Sequence, residues 1–161
     1  METISNVIGF LPALIKAAPL TLLLTAVAGV FGLVIGTLAA LARLSGRRVL
    51  SVPAYVFTFA FRGTPLLVQI YLIYYGLGQV LPGTWVRHSF LWPYLRDGLW
   101  YAIFALSLNQ ASYNAEVIGG AIKAVPRGQI EAAKSIGMRS SMILRRITLP
   151  QAFRSCLPVL T

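Results

Sequence analysis

The chain alternates long apolar runs with short polar or basic connections. The clearest run extends from Leu20 to Ala42, and no charged residue lies between Lys16 and Arg43. About 20 apolar residues in a helix are enough to cross the hydrocarbon core of a bilayer. The run is too long for the apolar part of a signal peptide, so it predicts a first transmembrane helix.

A second apolar region, Val49 to Leu81, is too long for one span and is interrupted by the sequence Arg62-Gly63-Thr64-Pro65. Thr64 suits an N-cap and Pro65 suits the first helical position. The pattern therefore predicts a short lead-in helix from Pro53 to Phe61, followed by a second span that begins at Pro65.

The third apolar run, Gly98 to Ile122, carries polar side chains on one face. Asn109, Tyr113 and Glu116 are spaced as on one side of a helix. A charged side chain at membrane depth costs about 2.5–3.5 kcal/mol on insertion scales, so such groups usually face a cavity, a partner or a pathway. We therefore predict that these residues line a polar route; the alternative is that Glu116 pairs with a basic residue in the bundle.

Arg62 also lies inside an apolar region. It either snorkels to the cytoplasmic interface along its aliphatic stem or contacts the substrate of the same route. Small residues recur along both long spans, which predicts close helix packing without chemistry; they are Ala28, Gly32, Gly36 and Ala40 in the first span, and Ala111, Ala115 and Gly119 in the third.

The basic residues are distributed unevenly among the connections. Ten of the fourteen Lys and Arg residues lie in the 43–52 loop or in the 123–154 tail. Cytoplasmic loops carry such an excess, so the N-terminus is expected outside the membrane and both basic segments inside. The net charge of +10 is explained by topology and by anionic membrane lipid, and we expect no nucleic-acid partner.

Composition limits the class of protein. With 161 residues, 57% of them hydrophobic, the chain is too apolar for an ordinary soluble domain and short enough for one domain. The single cysteine, Cys156, excludes an internal disulfide, and no His and Cys cluster predicts a metal site or cofactor. One membrane Glu, one loop His and one Cys at distant positions do not compose a catalytic set.

The segment after the third run predicts two short helices. Residues 128–140 form an amphipathic pattern in which Ile130, Ala133, Ile136 and Gly137 share a face. Gly137 suits a left-handed C-cap, and Ser140 or Ser141 would cap a second helix that stops before Pro150. Small surface residues suit a knob that enters a groove on another protein, whereas a lipid-lying helix would carry bulkier apolar side chains.

These residues carry a family resemblance. The tail resembles the EAA loop of ABC importer permeases, with both spacings of that pattern intact. The matching residues are Glu131-Ala132-Ala133, Gly137 and Ile147-Thr148-Leu149-Pro150. Three further stretches are similar to the M-type permeases of opine and basic amino acid importers. They are FRGTPLLVQIYLIYYGL (61–77), RHSFLWPYLRD (87–97) and VPRGQIEAA (125–133). One departure is Gly119-Gly120, where members often have Arg-Gly.

The resemblance implies an all-α integral membrane bundle with about three spans here, where the family has about five. It implies one permease domain over 1–161, incomplete at its C-terminus, with a cytoplasmic EAA loop at 123–154. The expected partners are an ABC ATPase dimer, a second permease, an extracytoplasmic substrate-binding protein and an amino acid or opine, cationic if Glu116 contacts it. The implied ATPase-coupling residues are Glu131, Ala132, Ala133, Gly137 and Arg139, and the implied location is the bacterial cytoplasmic membrane.

One rival function belongs to another class. A non-transporting membrane adaptor with three spans could use its basic cytoplasmic helix to dock a soluble partner or acidic lipid. This adaptor would have no ATPase partner and no effect on transport, whereas the permease would leave ATP hydrolysis to its partner.

Overall fold

The computed structural model describes residues 2–80, 88, 93 and 97–160, and these residues form helices and connections without a strand. The helices are α1 (Glu2–Leu44), α2 (Arg48–Gly63), α3 (Leu66–Val80), α4 (Gly98–Ala124), α5 (Arg127–Ser135), α6 (Ser140–Ile143), a π-helical segment (Leu144–Thr148) and α7 (Leu149–Leu160). The predicted all-α fold is confirmed. The predicted end of the second region at Leu81, and most of the 87–97 stretch, lie outside the described residues.

The two long helices, α1 and α4, form the main helix pair. Ala28 and Ala40 of α1 and Ala111 and Ala115 of α4 are buried, as the small-residue pattern predicts. At Gly36 the backbones approach so closely that an added Cβ would lie 2.7 Å from the Cβ of Asn114. Small side chains thus allow contact between the two helix backbones.

The helix α7 completes the core beside this pair. Ala40, Ile118 and Cys156, one from each of α1, α4 and α7, form a buried cluster. By contrast, the other side of α1 exposes large apolar side chains such as Phe31, Val34 and Leu38. An exposed apolar surface of this extent suits lipid or another membrane helix rather than water.

The second apolar region is broken where the sequence predicts, with axes of α2 and α3 bent by 112°. The predicted lead-in helix is longer than Pro53–Phe61 and includes the proline in its second turn. The predicted helix start at Pro65 is one residue early, because α3 begins at Leu66. The Thr64 hydroxyl donates to the Ala60 carbonyl at 2.9 Å, at the end of α2, and accepts from Gln69 Nε2 at 2.9 Å. The hydroxyl therefore satisfies one of the last-turn carbonyls of α2, which have no hydrogen-bond partner within the helix.

Among the described residues, one helix is long and apolar enough to cross a membrane, over Phe10–Leu44. The helices Arg48–Gly63 and Leu66–Gly76 are together long and apolar enough to cross, either as one broken span or as a re-entrant loop. The predicted third span is helical over Gly98–Ala124. Its polar side chains lower its mean hydropathy, so it is not among the helices that are apolar enough to cross a membrane by composition. Its N-terminus is capped by the Asp97 carboxylate, which accepts from the Leu99 N–H at 3.0 Å.

The loop after α4 contains the predicted glycine cap. Gly137 has a φ of +81°, its N–H donates to Lys134 O, and the Met138 N–H donates to Ala133 O. These two bonds define a Schellman motif, so the predicted left-handed C-cap is confirmed.

The prediction that the second short helix stops before Pro150 is wrong. The helical path continues from Ser140 through the π-helical segment and into α7, with Pro150 as the second residue of α7. In a regular α-helix the proline ring would clash with the carbonyl four residues earlier and remove one hydrogen bond. In the wider π turn the Leu149 N–H reaches back five residues to Leu144 O, which accommodates the ring.

Candidate transport and coupling sites

The carboxylate of Glu116 binds two arginines from two other helices. Arg43 Nη1 donates to Glu116 Oε2 at 2.7 Å, and Arg62 Nη1 donates to the same oxygen at 2.8 Å. The two arginines occupy the last turns of α1 and α2, where a cation is favoured by the helix dipole. One carboxylate oxygen thus joins α1, α2 and α4.

Aromatic rings support both arginines. Arg62 Cζ lies 5.7 Å from the centroid of the Tyr113 ring, and Arg43 Cζ lies 5.6 Å from that of Tyr55. Both distances are within the range of cation–π attraction. The rings therefore help to hold the guanidinium groups toward Glu116.

A second polar network braces the break between α2 and α3. Gln69 is 5% exposed, and its Nε2 donates to Phe61 O at 2.6 Å and to Thr64 O at 2.9 Å. Its Oε1 accepts from Asn109 Nδ2 at 3.0 Å. Asn109 therefore fixes α4 to the broken region, because it satisfies the buried amide of Gln69.

The structure brings three of the four predicted route residues together. Glu116, Arg62 and Tyr113 form one cluster, whereas Asn109 belongs to the neighbouring Gln69 network. The pairing with a basic residue, which the sequence left as an alternative for Glu116, is present and twofold. Arg62 reaches this carboxylate with 41% of its side chain still exposed.

Sequence reasoning missed Arg43 and Gln69 as site residues. From the sequence, Arg43 was used only to predict the membrane orientation, although it is the first basic residue after the first span. Gln69 lies in an apolar stretch, and a buried amide there needs hydrogen-bonding partners. The sequence could therefore have marked Gln69 as a residue that needs a polar partner. It could not have shown that this partner is Asn109, 40 positions away.

The predicted coupling residues divide into two groups. Glu131, Ala132, Gly137 and Arg139 are exposed, whereas Ala133 is 4% exposed and packs inside the loop. Ile136, predicted on the same apolar face as Ala133, is 77% exposed. The reason is that α5 ends at Ser135, so Ile136 has already left the helical periodicity. Ala133 is thus unavailable as a surface contact.

Comparison with known proteins places these features in a family. Residues 32–161 match the model for "Binding-protein-dependent transport system inner membrane component". The chain is 51% identical to the octopine transport system permease protein OccM of Rhizobium meliloti, over 91% of this chain and 58% of that one. It is 43% identical to the nopaline permease NocM of Agrobacterium fabrum, over 96% and 64%. Identity to the histidine/lysine/arginine/ornithine permease HisM of Escherichia coli K12 is 38%, over 86% and 58%.

The chain thus spans about six tenths of the length of these relatives. Among solved structures, the crystal structure of an amino acid ABC transporter with histidines matches with a TM-score of 0.69 and 35% identity, over 92% of this chain and 67% of that one. The relatives are transport permeases rather than enzymes. The chain belongs to the family of inner-membrane components of binding-protein-dependent transport systems, and within it the chain matches the M-type polar amino acid permeases.

Proposed function

We propose that the protein is the membrane subunit of an ABC importer that moves an opine or a basic amino acid across the bacterial cytoplasmic membrane. The observation that carries the proposal is the 51% identity with an octopine permease over 91% of this chain. The proposed partners are a second permease, two ATPase subunits and an extracytoplasmic binding protein.

The proposed route follows Asn109, Tyr113, Glu116 and Arg62. In the described conformation the charge of Glu116 is already compensated by two arginines. A cationic substrate would therefore have to replace an arginine at Oε2. Arg62 is the more exposed partner, at 41% against 19% for Arg43, so we assign the exchange to Arg62.

Competition for uptake tests this function. The full-length permease, expressed with its importer partners in cells that lack their own basic amino acid uptake, is expected to accumulate labelled arginine or octopine. Excess lysine or nopaline should compete because each presents a cationic group, whereas excess glutamate should not. Equal competition by glutamate, or no uptake of any cationic compound, would overturn the assignment.

The proposed topology has an outside N-terminus and three spans, and cysteine labelling tests it. In a Cys156→Ala background, the variants Ser45→Cys and His88→Cys are each treated in intact cells with a membrane-impermeant thiol reagent, and the extent of labelling is compared. We expect label at position 88 alone, because a crossing α2–α3 region separates the two positions. If the 112° bend instead makes this region re-entrant, both positions lie on one side and label alike.

Coupling to the ATPase is proposed to use the exposed turn at Gly137. Replacement by valine puts a β-branched residue at a φ of +81°, and such backbone strain costs about 1–3 kcal/mol. We expect Gly137→Val to reduce co-purification of the ATPase and to lower uptake while the permease still inserts. The adaptor alternative instead expects no ATPase in the unmutated complex.

Gly128→Val is the matched control for that change. Gly128 is exposed in the same loop, and an added Cβ there, as at Gly137, meets nothing within 4 Å. Only Gly137, however, has a positive φ. Equal retention of the ATPase by both variants would argue against a docking role for the Gly137 turn.

A further inference from the structure

A cavity of about 440 Å³ lies where the ends of α1 and α4 meet the first turns of α2. Gly119 and Gly120 form part of its wall, and an added Cβ at either position would meet nothing within 4 Å. The absence of side chains at these two positions therefore leaves this part of the space open. Asn109, Tyr113 and Arg62 are not among the described residues that line it.

The charge of the lining is unbalanced. Arg43 and Lys123 contribute two positive charges against the single carboxylate of Glu116. Glu116 is already bound by Arg43 and Arg62, and Lys123 has no ion pair with another residue in the part of the chain that the structure describes. The hydroxyls of Ser51 and Tyr55 add hydrogen-bond donors to the same wall. The excess of cations and donors is complementary to an anion.

The rest of the lining is apolar. Leu44 and Val52 border the cavity and are 36% and 55% exposed, and Val49 and Val56 of α2 continue this exposed apolar surface. A free inorganic anion would gain nothing from these side chains. A ligand with an anionic head and an apolar body would use both parts of the wall.

We propose that this cavity binds the headgroup of an anionic phospholipid, with its phosphate between Arg43 and Lys123 and its acyl chains along the exposed apolar side of α2. Basic pockets between membrane helices on the cytoplasmic side bind such headgroups. The site shares Glu116 with the proposed import route and rests on the proposed topology for its cytoplasmic position. Lipid binding needs insertion in the membrane but not transport activity, so it can fail or succeed independently of uptake.

Lipid binding to the full-length permease complex tests the site. The complex is placed in phosphatidylcholine nanodiscs with increasing phosphatidylglycerol, and bound phosphatidylglycerol is counted by native mass spectrometry. Lys123→Gln should weaken phosphatidylglycerol binding by roughly fivefold, the contribution of one basic side chain near anionic lipid. Arg127→Gln removes an exposed base outside the cavity and should leave binding unchanged. Equal weakening by both variants would reduce the effect to general surface charge and overturn the site.

A second pair of variants fills the space without changing the charge. Gly120→Leu should abolish the bound phosphatidylglycerol, whereas Gly29→Leu adds the same bulk to α1, where an added Cβ also meets nothing within 4 Å, and should retain it. In detergent, millimolar inorganic phosphate should not raise the thermal midpoint as phosphatidylglycerol does. Protection by phosphate equal to that by the lipid, or unaltered lipid binding by Gly120→Leu, contradicts the proposal.

Discussion

Gly36→Leu is expected to prevent the close packing of α1 against α4 and to lower the yield of folded permease. An added Cβ would lie 2.7 Å from Asn114 Cβ and 2.8 Å from Ala111 O. The second contact is with backbone, which cannot rotate away, so the helices must separate. Overpacking of this kind typically costs about 1–3 kcal/mol for extra methylenes, and separation would also expose Ala40 and Ile118 of the core cluster.

The matched control is Gly29→Leu in the same helix, because nothing lies within 4 Å of a Cβ added there. The measurement is the thermal midpoint in detergent together with the monodisperse fraction after size-exclusion chromatography. Gly36→Ala should show a smaller loss than Gly36→Leu. The close approach would be refuted if the substitutions at positions 29 and 36 had equal effects.

Glu116→Leu is expected to destabilise the bundle by leaving two guanidinium groups side by side without their shared acceptor. Loss of a charged partner costs about 1–3 kcal/mol. The lower part of this range applies, because the Glu116 side chain is 45% exposed and water screens exposed pairs. Glu116→Gln keeps an acceptor oxygen and should lose less stability than Glu116→Leu.

A double-mutant cycle separates this pairing from general effects. Arg43→Leu combined with Glu116→Leu should be less destabilised than the sum of the single changes, because the two residues are in contact. Arg47→Leu is the control, since Arg47 is exposed at the start of α2. Additivity of Arg43→Leu with Glu116→Leu would contradict the pairing. If Glu116 also lies on the route, Glu116→Gln should lower uptake more than its stability loss explains.

Local features of this fold could be predicted from the sequence, and contacts between distant residues could not. The break at 62–65, the left-handed Gly137 and the small-residue stripe of α1 depend on neighbouring residues or on one helical period. The partners of Glu116, by contrast, are Arg43 and Arg62, 73 and 54 positions earlier, and only the packing of three helices brings them together. The burial of Ala133 has the same cause, because it depends on how α5 folds back on the segment after it.

Pro150 misled the sequence argument because a proline usually marks a helix end, and the π-helical segment before it has a consequence for rotation. The buried residues along this helix are Ile143, Thr148, Ala152 and Cys156, with successive spacings of five, four and four positions. In a regular α-helix, five positions turn a side chain to about 140° from its starting direction, which would carry it out of the core. The π turn cancels this offset, and Pro150 disfavours a regular α-helical turn in its place, because the ring would clash with the carbonyl four residues earlier. The buried side chains before and after the π-helical segment therefore face the same side of one continuous helix.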